Sequence, residues 1–146
     1  MLRTRGYLPR LEHAGSNYFV TFRLAGSLPK TVRDDFVFER NNIEKFARDQ
    51  SRVLSKHEKQ QLDYLLSSKV QQYLDRCEGD CWLQLPAIAE AVIGTMKHFN
   101  GLRYELQAWC IMPNHVHVVF TDNGKSNLKT ILHYGNLIVP MKLTKY

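Results

Sequence analysis

Two histidines one residue apart, His115 and His117, lie inside the apolar run Met112-Pro113-Asn114-His115-Val116-His117-Val118-Val119-Phe120. The β-branched and aromatic neighbours predict a β-strand, in which alternate side chains share a face about 6.6 Å apart. His115 and His117 therefore project together toward a cleft, with Val119 beside them, while Val116, Val118 and Phe120 point into a core. Two imidazoles converging from one strand are a ready pair of divalent-metal ligands. Alone, a His-x-His pair is a weak signal, because such pairs also serve as structural polar residues. Asn114 reads as a turn residue whose side chain bonds nearby backbone.

The remaining reactive side chains are less pointed. Cys77, Cys81 and Cys110 are odd in number, and one Cys-x-x-x-Cys without a second pair is poor evidence for zinc, so they read as reduced thiols. The net charge of +6 suits a polyanionic partner. Arg3, Arg5 and Arg10 crowd the first ten residues, and basic arms of this kind contact phosphates. Tyr18, Phe22 and Trp109 could stack on bases, although their core-like spacing favours packing.

The elements that must carry these residues can be read from periodicity. Tyr18, Val20, Phe22 and Leu24 alternate with Thr21 and Arg23, which predicts a first strand. Residues 30–53 carry Val32, Phe36, Ile43, Phe46 and Val53, suiting one helix or two short ones. Ser55 with Glu58 is a capping box opening a helix whose apolar face is Leu62, Leu65, Leu66, Val70, Tyr73 and Leu74. Pro86 starts another helix, with Ile88, Val92, Met96 and Phe99 at helical spacing and Gly101 past its end. Tyr104, Leu106, Ala108, Cys110 and Met112 alternate on a second strand, antiparallel to the histidine strand across Pro113-Asn114. Asp122-Asn123-Gly124 is a turn, and Leu128, Ile131 and Leu132 begin a final helix. The mixture is α+β. At 146 residues the chain is long enough for one core, no run is long enough to span a membrane, and the first residues resemble no signal peptide, so the expected location is the cytoplasm.

The segment from Ala108 through Phe120 resembles the signature of the REP-associated tyrosine transposases, HUH-type single-tyrosine enzymes of the insertion-sequence transposase superfamily. Tyr7-Leu8-Pro9, Tyr18-Phe19-Val20-Thr21-Phe22-Arg23-Leu24, Ser27-Leu28-Pro29, Gly79-Asp80-Cys81-Trp82-Leu83 and His98-Phe99-Asn100-Gly101 resemble other family landmarks in order. The resemblance implies a ferredoxin-like HUH fold over residues 1–133, with helices on an antiparallel sheet. It makes His115 and His117 the ligands of Mg²⁺ or Mn²⁺, and a third polar ligand completes the set. The metal polarises the scissile phosphate of single-stranded or hairpin DNA, and a tyrosine on a downstream helix attacks to leave a 5′-phosphotyrosine bond. Arg23 joins Arg3, Arg5 and Arg10 as an expected DNA contact, and a homodimer is admitted.

The resemblance stops where the tyrosine should be. After Ile131-Leu132-His133, residues 134–146 bring Gly135 and Pro140 into the expected helix. One nucleotide inserted in codon 134 restores a reading compatible with S-W-K-S-Y-S-A-N-E-I-N-K, its tyrosine at the position of Ile138. Residues 134–146 therefore read as an out-of-frame tail, and the chain as cleavage-defective. In the competing account the tail is divergent and Tyr134 or Tyr146 attacks; Tyr134 sits four residues early and Tyr146 is terminal. Two further functions stand beside the transposase: a non-catalytic single-stranded DNA-binding or regulatory remnant, and a metal-dependent hydrolase, the latter lacking a convincing further Asp/His cluster.

Overall fold

The computed structural model describes residues 2–4, 9–11, 15–126, 128, 130–131 and 141–143. The chain is α+β. Strand β1 (Leu2–Thr4) pairs antiparallel with β2 (Pro9–Leu11), making Arg3 and Arg10 register partners. The main sheet contains β3 (Asn17–Leu24), β4 (Tyr104–Ile111), β5 (His115–Asp122) and β6 (Met141–Leu143) in the order β4-β5-β3-β6, all pairs antiparallel. Tyr134, with the rest of residues 132–140 and 144–146, lies outside the described residues; so do Arg5 and the predicted continuation of the last helix. Leu128 and Ile131 are helical and buried, as the periodicity predicts.

One face of the sheet builds the principal core. Val20, Phe22 and Leu24 of β3 and Val116, Val118 and Phe120 of β5 pack with Leu83, Val92, Leu128 and Ile131. Helix α4 (Pro86–His98) supplies Val92, with Pro86 in its first turn, where a missing N–H costs nothing. Tyr18 stacks on Phe120 at 5.6 Å and Phe22 is buried, so both aromatics are packing residues. Among the described residues no helix is long and apolar enough to cross a membrane.

A second, helical core sits beside the sheet. Helix α1 (Lys30–Asp49) is a single helix that brings Val32, Phe36 and Ile43 to it. Phe46 and Val53, expected on the buried face, are 60% and 84% exposed; the helix ends at Asp49, and the Phe46 ring lies under the Arg52 guanidinium. The Ser55–Glu58 capping box opens α2 (Lys56–Asp63), which continues through a π-helical stretch (Tyr64–Lys69) into α3 (Val70–Asp75). Buried Leu65 and Val70 are five residues apart, a step that the i→i+5 bonding of a π turn accommodates on one face.

Strand β4 departs from simple alternation. Leu106 pairs with Phe120 and Ala108 with Val119, leaving Gln107 as the extra residue of a bulge. The bulge reverses the faces beyond it. Trp109 and Ile111 oppose the core residues Val118 and Val116, while Ala108 and Cys110 are exposed and share the histidine face. The predicted run from Tyr104 to Met112 on one face is thus correct only as far as Leu106.

Candidate metal and nucleic-acid site

The face of the sheet opposite the principal core carries the histidines. Cross-strand register sets three rows on it: Ala108, Val119 and Phe19; Cys110, His117 and Thr21; then His115 and Arg23. The structure brings His115 and His117 together as parity requires, their ring centroids 4.8 Å apart and nearly perpendicular. It also corrects the expected cleft. His115 is 1% exposed, covered by α3, and only His117 reaches partial exposure.

Each ring is held by a side chain. Asn114 is fully buried in the tight turn before β5, and its Nδ2 donates to the Leu74 carbonyl at 2.8 Å. That fixes Oδ1 toward His115, whose Nδ1–H donates to it at 2.7 Å. The His115 lone pair is therefore on Nε2, where it accepts from the Gln71 amide at 3.1 Å. Gln71 also donates to Asp75 Oδ1 at 2.8 Å. His117 Nδ1 pairs with the buried Thr21 hydroxyl at 2.8 Å, and its ring stacks on Phe19 at 5.4 Å. Asn114 is thus more than a turn former: its carbonyl also accepts from Leu24 N–H at 2.9 Å, tying β5, β3 and α3 together.

The loop after α3 completes this clamp. Asp80 N–H donates to the Gly26 carbonyl at 2.9 Å, and a Cβ at position 79 would come within 2.4 Å of that same oxygen. Only glycine lets the loop approach the end of β3 so closely.

The electrostatics suit metal ligation. Burial pushes the His115 imidazolium down to about 4, helped by His117 and opposed by Asp75. Burial likewise lowers His117. Both rings are neutral near pH 7, the form that binds a metal. A hydrogen bond to one ring nitrogen fixes the tautomer and orientation of an imidazole, as it does for histidines that ligate metals. Among the described residues no three His, Cys, Asp or Glu side chains converge on one point, and the His115 Nε2 lone pair is taken up by the Gln71 amide. Asp75 reaches the pair through Gln71.

Arg23 lies in the His115 row, lowered from its usual value by burial and by Arg33. Among the described residues its Nη1 contacts the Leu24 carbonyl and Ser27 Oγ, at 3.4 Å each. Cys77, Cys81 and Cys110 are free thiols. Trp109, 39% exposed, packs under the Lys97 ammonium. Three residues escaped sequence reasoning: Phe19, Thr21 as a partner of His117, and Gln71. Phe19 had a signal, since it is a large apolar residue on a face otherwise read as Thr21 and Arg23, and it is 63% exposed. No protein-family model, curated protein or solved structure matches the chain.

Proposed function

We propose that the protein is a single-stranded or hairpin DNA-binding protein of the HUH single-tyrosine transposase type, whose histidine pair holds Mg²⁺ or Mn²⁺ against a backbone phosphate. The observation that carries the reading is the pair itself: two neutral imidazoles on one strand, oriented by Asn114 and Thr21, beside an exposed aromatic ring. The sheet order β4-β5-β3-β6, with helices between β3 and β4, is compatible with the ferredoxin-like fold that the sequence resemblance implies. The divalent ion would polarise a phosphate oxygen. His115 and His117 would hold it, Phe19 would stack a base next to the site, and Arg23 would face the phosphate with a partly desolvated charge.

The chemistry lacks a positioned nucleophile, because residues 134–146 depart from the family pattern. A second reading, a non-catalytic single-stranded DNA-binding remnant, is favoured by the burial of His115 beneath α3. Strand cleavage separates the two. The chain as it stands should form no covalent adduct with single-stranded hairpin DNA in Mn²⁺. A gene with one nucleotide restored in codon 134 should form one, visible as a shifted band on a denaturing gel. An adduct formed by the unaltered chain through Tyr134 or Tyr146 would overturn the out-of-frame account, and an inert restored chain would favour the remnant.

A further inference from the structure

The segment that closes over the end of β3 brings two thiols together. Cys77 and Cys81, both partly exposed, flank Gly79 in the loop between α3 and a short 3₁₀ turn (Trp82–Gln84). The Cys81 thiol is in hydrogen-bonding contact with the Cys77 side chain, and lies 3.6 Å from the Cys77 carbonyl and 3.5 Å from that of Gly79. Cys77 has a φ of 50°, just past the end of α3, where a left-handed backbone favours glycine. Glycine would make the bend without strain, so the chain carries a thiol at this point at a conformational cost.

We propose that Cys77 and Cys81 form a reversible intramolecular disulfide by exchange with small-molecule disulfides, fastening the loop that follows α3. The proposal is independent of the histidine reading. Cys77, as its thiolate, attacks one sulfur of oxidised glutathione; a mixed disulfide forms and one glutathione thiolate leaves. Cys81 then gives its proton to solvent and attacks the Cys77 sulfur, closing the Cys77–Cys81 bond and releasing the second glutathione. The cysteine pair loses two electrons, and one glutathione disulfide is reduced to two thiols. Burial and the adjacent Cys77 push the Cys81 thiol up to about 11, which makes it the later of the two to react.

Backbone anchors hold both sulfurs in place. Cys77 N–H donates to the Leu74 carbonyl at 3.1 Å, the same oxygen that accepts from Asn114. Between the cysteines, Asp80 N–H donates to the Gly26 carbonyl, and a Cβ on Gly79 would stand 2.5 Å from the Ser27 carbonyl oxygen. Beyond them, Leu83 N–H donates to the Pro113 carbonyl at 3.0 Å. The segment is thus fixed to α3, to the end of β3 and to the turn before β5, so joining the two thiols costs little further chain entropy. The bond ties off the end of the helix that covers His115. Cys110 stands apart from the pair, exposed on β4 with its sulfur 3.7 Å from that of Met112.

The test equilibrates the full chain, folded and in urea, with graded mixtures of oxidised and reduced glutathione, then blocks free thiols and maps tryptic fragments by mass. Trypsin cuts after Arg76 and Lys97, so one fragment carries Cys77 and Cys81 without Cys110. The equilibrium constant for closing the bond should be on the order of 10- to 30-fold larger in the folded chain than in urea. The oxidised chain should melt about 5 °C above the reduced one. Cys81→Ser should trap glutathione on Cys77, and Cys77→Ser should take it up more slowly at Cys81. A constant no larger in the folded chain than in urea overturns the proposal, and so does a disulfide that joins Cys110 to either partner. Failure of Cys81→Ser to take up glutathione at Cys77 overturns it as well.

Discussion

Replacing Asn114 by alanine removes the side chain that links β5 to α3. Two hydrogen bonds disappear from a fully buried position, one of 2.8 Å to the Leu74 carbonyl and one of 2.7 Å from His115 Nδ1–H. The two losses are unequal. Leu74 keeps an acceptor contact from Cys77 N–H at 3.1 Å, so its carbonyl is not stranded. His115 Nδ1–H is left with no partner beneath α3, and an orphaned buried donor costs about 1–3 kcal/mol. Adding about 1 kcal/mol for the Leu74 bond gives a total of about 2–4 kcal/mol. That is a large share of the roughly 5–15 kcal/mol that holds an ordinary domain. Urea unfolding of the native and Asn114→Ala chains measures it, and the slope should be unchanged because the folded surface is the same. The same variant frees the His115 tautomer and should lower Mn²⁺ affinity on the order of 10-fold. A stability loss below about 0.5 kcal/mol would refute the argument, since it would mean that Asn114 is only the turn former that its sequence context suggests.

Two further outcomes follow from the same site. His115 has a folded pKa near 4 against an ordinary 6.5, so the unfolded chain binds the extra proton first. Its contribution to stability is complete above pH 6.5 and is lost as pH falls toward 4, amounting to at most about 3 kcal/mol. Denaturant midpoints across that range should fall with acid in the native chain and fall less in His115→Gln; parallel curves would contradict the assignment. Phe19→Ala removes the exposed ring stacked on His117 and should weaken single-stranded DNA binding by about 1–3 kcal/mol while leaving folding intact, whereas unchanged affinity in a filter-binding titration would remove Phe19 from the interface.

Much of this architecture was legible because simple periods govern it. The alternation of β3 and β5, the capping box at Ser55, Pro86 at the start of α4 and Gly101 past its end all match local rules that the tertiary structure obeys. Where the reading failed, one residue changed the phase. The bulge at Gln107 moved Ala108 and Cys110 to the other face, and nothing in the composition of β4 announces an extra residue. The π turn at Tyr64–Lys69 is similarly silent except in the five-residue step from Leu65 to Val70. Within α1 the small Ala47 takes the buried position and its neighbour Phe46 turns outward, a choice that apolar spacing alone does not reveal.

The site divides in the same way. The histidine pair follows from the two-residue period of a strand, a local property. Its surroundings do not. Gln71 reaches His115 from 44 residues away, and glutamine carries no chemical signature that singles it out in a polar helix. Burial of His115 depends on how α3 is docked by Leu74, Gly26 and Gly79, which is a matter of packing between distant segments. Arg3 and Arg10 are register partners of β1 and β2, a pairing of backbone positions that the sequence spacing does not announce.

The most direct test of the central claim couples the ion to the nucleic acid. Binding of a single-stranded hairpin is measured by filter retention with and without Mn²⁺, across a salt series, for the native chain and for His117→Ala, with a random duplex of equal length as reference. Affinity should fall steeply with salt, as expected for a chain of net charge +6 contacting phosphates. The account predicts that the native chain prefers the hairpin and that Mn²⁺ strengthens that binding, while His117→Ala keeps the salt dependence and loses the response to Mn²⁺. Equal binding of hairpin and duplex, with the same Mn²⁺ response in both chains, would contradict it.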